Sequence, residues 1–163
     1  MRKRPGMNLW PHEIADSEAI VRGICSPYHV KKGKLQLNAY RPPADREDVS
    51  VMRCDWIGAN GCKQHAKDLE DPTSKPPKIY LGMAVLSAKH IRDTGARVVD
   101  SREQQFDGHA DILHGIKSVR GEPPPAQQLY QMQELAKMAN YFPDPDPPSA
   151  TWAGPELRYK DSI

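Results

Sequence analysis

Apolar positions along this 163-residue chain fall into short runs set between turn-forming residues, with one long amphipathic stripe near the C-terminal end. Residues 19–24 form a β-branched run closed by Ser26-Pro27 and predict a first strand. Residues 35–40 alternate with period two, putting Leu35, Leu37 and Ala39 on one face; they predict a second strand, with 49–53 as its neighbour. Residues 79–86 are almost wholly apolar and flanked by breakers, as a central strand requires. Ser87 is placed to cap a short helix over 88–94 that Gly95 closes, and 96–100 predicts a further strand. A helix opens at Asp55 or Asn60 and reaches Leu69, before Asp71-Pro72. Residues 109–119 fit strand and helix equally well. In 126–141, Leu129, Met132, Leu135, Ala136 and Ala139 recur three and four apart, which predicts a helix with one packing stripe, stopped by Pro143. The pattern is that of an α+β domain: a mixed or antiparallel sheet of 19–24, 35–40, 49–53, 79–86 and 96–100, packed by the 126–141 helix.

Composition limits how much of the chain enters that core. Only 38% of residues are apolar and 16 are proline. The reading is an N-terminal arm over 1–18, a core over 19–142 and a proline-rich arm over 143–163. The last arm holds Pro143, Pro145, Pro147, Pro148 and Pro155, which forbid a continuous helix, yet it carries Trp152, Leu157, Tyr159 and Ile163. Two fates suit it equally: folding back over its own sheet, or docking on a partner. No apolar run approaches the ~20 residues that span a bilayer. His12, Glu13, Asp16 and Glu18 interrupt the only stretch where a leader's apolar segment would lie. Three cysteines are too few for a disulfide framework. Together these features predict a cytoplasmic protein with no membrane partner. Net charge is +2, but residues 1–40 hold seven Lys/Arg against three acids, and 122–163 hold three against six.

Three groups of residues carry candidate chemistry. Cys25, Cys54, Cys62 and His65 include soft ligands suited to zinc, although their spacing matches no paired-knuckle pattern and cysteines are often simply buried. No cofactor is expected. His109 and Asp111 share a face if their segment is a strand, and a carboxylate-oriented histidine is common equipment for general acid–base catalysis. Arg41 and Arg53 are suited to clamp an anion, and Tyr40 and Tyr28 to stack on a ring, beside a basic patch of Lys31, Lys32 and Lys34. Trp152 is the aromatic anchor expected if the C-terminal arm binds a partner.

The segments Arg22-Gly23-Ile24, Lys32-Gly33-Lys34, Ala39-Tyr40-Arg41 and Asp48-Val49-Ser50-Val51 resemble the opening of a group of small uncharacterised bacterial proteins of unknown activity. Tyr40 stands where Phe is usual in that group, and Val49 where Leu is usual. The similarity extends through Gly82-Met83-Ala84-Val85 and residues 96–100, covering 20–115. It implies a compact bacterial domain and supplies no catalytic residue.

Two functions follow from these features. The first is a non-catalytic accessory or protein-interaction domain of a bacterial intracellular system. It would bind another protein or a second copy of itself, with nucleic acid as the less favoured partner. The alternative is a small enzyme acting on a phosphate-bearing or nucleotide-like substrate through His109 and Asp111.

Overall fold

The computed structural model describes residues 10–161. Its strands are β1 (Ala19–Ser26), β2 (Val30–Lys31), β3 (Lys34–Leu35), β4 (Asp48–Arg53), β5 (Ile79–Ser87), β6 (Arg97–Asp100), β7 (His109–Leu113) and β8 (Asn140–Pro143). Its helices are α1 (Cys54–Lys67), α2 (Ala88–Asp93) and α3 (Ala126–Met138). Six strands form one sheet in the order β6-β7-β4-β1-β5-β8, antiparallel at every pairing. The chain is a single small α+β domain in which the C-terminal helix packs on the sheet.

Strand alternation divides the core into two layers, because successive side chains leave a strand on opposite sides. Ile20 and Ile24 of β1, Val49 and Val51 of β4, Ala84 and Leu86 of β5, and Ala110 and Ile112 of β7 all point to one face. There they meet Ile91 of α2 and Leu135 of α3. Val21, Met52, Met83 and Val85 point to the other face, against Cys62 and Ala66 of α1 and Leu157 of the C-terminal segment. Gly23 is where α1 crosses most closely: a methyl group there would collide with Ala66 and Leu69.

Local signals place α2 as expected. The Ser87 hydroxyl accepts from the His90 N–H at 2.9 Å, and Gly95 takes a φ of +91° two residues past the helix end. The helix carries the chain over β1, β4 and β7 from β5 to the far edge of the sheet. The ambiguous segment after Gly108 is a strand, β7, paired on both sides.

Two expected elements differ. Residues 35–40 are not a strand of the sheet. Leu35 ends the two-residue hairpin β2–β3, and Leu37–Tyr40 is a short 3-10 helix packed on α3. Ala39 and Tyr40 are both buried, although the alternation would put Tyr40 on the polar face. The neighbours of β4 are β1 and β7 instead. The helix expected over 126–141 stops at Met138. Ala139 turns extended, and residues 140–143 become the edge strand β8, paired with β5. Pro143 can end that strand because an edge position does not require its missing N–H.

The C-terminal segment lies over α1. Asp144 pairs with the Lys63 ammonium at 2.9 Å, with neither side chain exposed, and accepts from the Tyr80 hydroxyl at 2.6 Å. Lys63 also donates to the carbonyls of Asp146 and Thr151, and Lys67 to that of Pro147. The Tyr159 hydroxyl donates to the Ser17 carbonyl. Among the described residues, no helix is long and apolar enough to cross a membrane.

Candidate active site

Helix α1 covers the β1 side of its face and leaves the β4–β7 side partly open. A cleft of about 360 Å³ remains there. Ser50, Val51 and Met52 of β4 form one wall; His65, with Asp68 and Leu69 beyond the helix end, forms another. Gln105 and Phe106 of the β6–β7 loop close it, and His109 lies at its base. This volume falls within the range of small-molecule sites.

The position of His109 follows from its surroundings. Gly108 has a φ of +93° and sits against Ile57 of α1, so a side chain at 108 would be both strained and obstructed. The Gly108 carbonyl accepts from the Arg53 N–H, and the His109 N–H donates to the Phe106 carbonyl. His109 and Asp111 leave β7 on the same face, two residues apart. Ser101 follows β6 and continues its register, its N–H donating to the His109 carbonyl at 3.0 Å. This brings the Ser101 hydroxyl to 2.5 Å from His109 Nδ1, on the face that also carries Asp111, where it favours the ionised form of that carboxyl.

The polarity of that chain is set at its Asp111 end. An ionised carboxylate only accepts, so a Ser101 O–H turned toward Asp111 leaves its oxygen to accept from His109 Nδ1–H. The neutral imidazole then carries its free lone pair on Nε2. Burial lowers the His109 pKa below the usual imidazole range, with Asp111 opposing; burial raises that of Asp111, with His109 and Ser101 opposing. Ser101 is 7% exposed and does not line the cleft, so it relays and positions rather than attacks.

A second imidazole borders the same space. The His65 ring stacks on Phe106 at 3.4 Å between centroids, and Phe106 meets His109 edge-on at 4.9 Å. Burial lowers the His65 pKa, and Asp68, 3.8 Å from Nδ1, opposes it. The cleft thus joins two neutral histidines across one aromatic ring.

The other sequence candidates lie elsewhere. Arg53 is fully buried, donating to both Glu18 oxygens at 2.8 and 2.7 Å and to Asp100 at 2.8 Å, so it has no free edge for an anion clamp. Arg41 is on the opposite layer and donates to the Glu122 carbonyl. Tyr40 is buried within that layer, so it presents no ring for stacking. Trp152 rests against its own chain: its N–H donates to Asn60 Oδ1 and its indole N–H to the Pro155 carbonyl. The four metal candidates are not gathered. Cys25 is at the bulge in β1 and donates its N–H to His29, whereas Cys54 and Cys62 are partners within α1. Among the described residues, no three His, Cys, Asp or Glu side chains are placed to hold a metal ion. His65, considered from the sequence only as a ligand, is a cleft residue instead. Ser101 and Phe106 had no sequence signal, because only the return of the β6–β7 loop brings them to His109.

Comparison with family models, curated proteins and solved structures gives no match to this chain, so the functional reading rests on the residues of this cleft.

Proposed function

We propose that this chain is a small enzyme that moves protons on a substrate held in the α1–β4–β7 cleft, with His109 as the general base. The observation that carries the reading is the bonding of His109. One ring nitrogen is committed to the Ser101–Asp111 relay, and the residue borders a cavity of small-molecule size. His109 Nε2 would take a proton from water or from the substrate. The relay fixes the tautomer and stabilises the imidazolium that forms, as a carboxylate-backed histidine does elsewhere. His65 would act as the second proton donor or acceptor.

The cleft residues include no Arg or Lys, so the lining favours a substrate uncharged at its reacting centre, such as an ester or amide, over a phosphate. Hydrolysis of p-nitrophenyl acetate tests this reading. Wild-type protein should exceed His109→Gln by at least about a hundredfold, the lower end of what acid–base groups contribute. The rate should rise with pH through a value below the ordinary imidazole range and then level off. Ser101→Ala and Asp111→Asn should fall between the two proteins. Equal turnover by wild type and His109→Gln would remove the proposal.

A further inference from the structure

A second surface, sharing no residue with the cleft, has a different composition. From residue 19 to residue 44 the chain holds five Lys/Arg and no acid. The structure puts Lys31, Lys32 and Lys34 on the β2–β3 hairpin, which begins two residues after Tyr28, and Tyr28 in turn shares a hollow with Arg41. Tyr28 is 59% exposed, the most exposed of the large hydrophobic side chains described. With His29, Asn38, Arg41 and Pro42 it lines a shallow hollow of about 340 Å³ that contains no carboxylate.

The hairpin is built against its own local preferences. Lys31 and Lys34 are direct cross-strand partners, and like charges in that relation destabilise a ribbon. Lys32 and Gly33 both have positive φ, 52° and 76°, as a two-residue hairpin turn requires. Asn or Gly suits the first of those positions far better than Lys. Among the described residues none of the three lysines forms an ion pair, and Arg41 donates only to a backbone carbonyl. After burial itself, Arg22 and Lys78 contribute to holding His29 down to a pKa of about 3, a sign of the positive field at the base of this surface.

Tyr28 has a firm footing. The His29 N–H donates to the Cys25 carbonyl, His29 Nδ1 accepts from the Cys25 N–H, and the His29 carbonyl accepts from the Gln36 N–H at 2.7 Å. An exposed phenol ring on a chain held at the next residue, with Arg41 beside it and three lysines without ion pairs on the adjoining hairpin, suits a ligand with flat faces and regularly spaced negative charges.

We infer that this surface binds single-stranded nucleic acid, with a base stacked on Tyr28 and the backbone phosphates on Lys31, Lys32, Lys34 and Arg41. A duplex keeps its base faces inside the stack, and so offers the ring nothing that a bare polyanion does not.

Fluorescence anisotropy with a labelled twelve-residue oligo(dT), and with the same length of duplex as comparison, tests the inference. The single strand should bind more tightly than the duplex. Its affinity should fall with salt at a log–log slope of roughly −2 to −3, for three or four phosphates neutralised. Tyr28→Ala should weaken it by roughly 5- to 100-fold, the range set by base–aromatic stacking, while Tyr28→Trp should retain it. Lys31→Gln with Lys34→Gln should weaken it and flatten the slope by roughly 1 to 1.5. These side chains are exposed, and an unchanged melting temperature would verify that each variant is folded. Absence of binding at low salt would overturn the inference. So would duplex bound as well as single strand, or Tyr28→Ala binding as wild type, since either describes a plain anion-attracting surface.

Discussion

His109 and His114 stand at the two ends of β7 and serve opposite faces of the sheet. His114 is among the closed layer of α3 and the 3-10 helix, with Nδ1 2.7 Å from Gln131 and Nε2 2.9 Å from the Tyr40 carbonyl. Burial lowers its pKa, and the two oxygens that face the ring, Gln131 Oε1 and the Tyr40 carbonyl, oppose that shift. Both nitrogens are consumed in tying three elements together. His109 has one nitrogen committed to Ser101 and lies against a cleft. Two buried histidines on one strand thus differ in what is left over after the fold has been satisfied. His114 has spent both ring nitrogens on packing the closed face, whereas His109, on the face under α1, has kept one.

The largest test breaks the cover of the open face. Asp144→Ala leaves the Lys63 ammonium buried without its counter-charge, and losing one partner of such a pair costs about 3–5 kcal/mol. Urea unfolding would measure it. A loss below about 1 kcal/mol would mean the C-terminal segment does not hold α1 down, since exposed ion pairs contribute no more than that.

A smaller effect belongs to the closed side, where His29 has a folded pKa of about 3. The unfolded imidazole titrates near ~6.5, so between these values unfolding takes up a proton. His29 therefore costs nothing above pH 6.5, and stability declines as pH falls, by about 1.4 kcal/mol per unit down to the folded value. Relative to pH 7, His29→Gln should lose about 2–3 kcal/mol less than wild type at pH 4.5. Parallel losses in the two proteins would assign the acid sensitivity to other groups. His65, His109 and His114 are lowered as well and add to the slope in the same direction.

The smallest expected change sharpens the comparison most directly. His114→Leu strands the Tyr40 carbonyl and the Gln131 amide and should cost about 1–3 kcal/mol while leaving ester turnover intact. His109→Gln keeps a hydrogen-bonding group beside Ser101 and should cost less than about 1 kcal/mol, yet lower ester turnover by at least about a hundredfold. Similar behaviour of the two variants in both assays would erase the distinction between the faces.

The sequence by itself determined the elements whose signals are local. Strands β1, β4, β5 and β6, the Ser87 cap with Gly95, and the stripe through Leu129, Met132 and Leu135 all follow from periodicity and turn chemistry over a few residues. It also put His109 and Asp111 on one face, conditional on a strand that periodicity alone did not select. Only the tertiary structure decided the rest. Residues 35–40 have the alternation of a strand but Leu37–Tyr40 form a 3-10 helix, because packing against α3 buries Ala39 and Tyr40 together. Residues 140–143 leave the helix because β5 has a free edge to pair. The relay from Asp111 through Ser101 to His109, and the Phe106 ring between His109 and His65, depend on where a loop returns. Cys25 and Cys54 are separated by the same logic: β1 and β4 are neighbours but antiparallel, so Cys25 near the end of one and Cys54 just past the end of the other fall at opposite ends of the pair. Periodicity specifies which side of an element is buried; it does not specify what is buried against it.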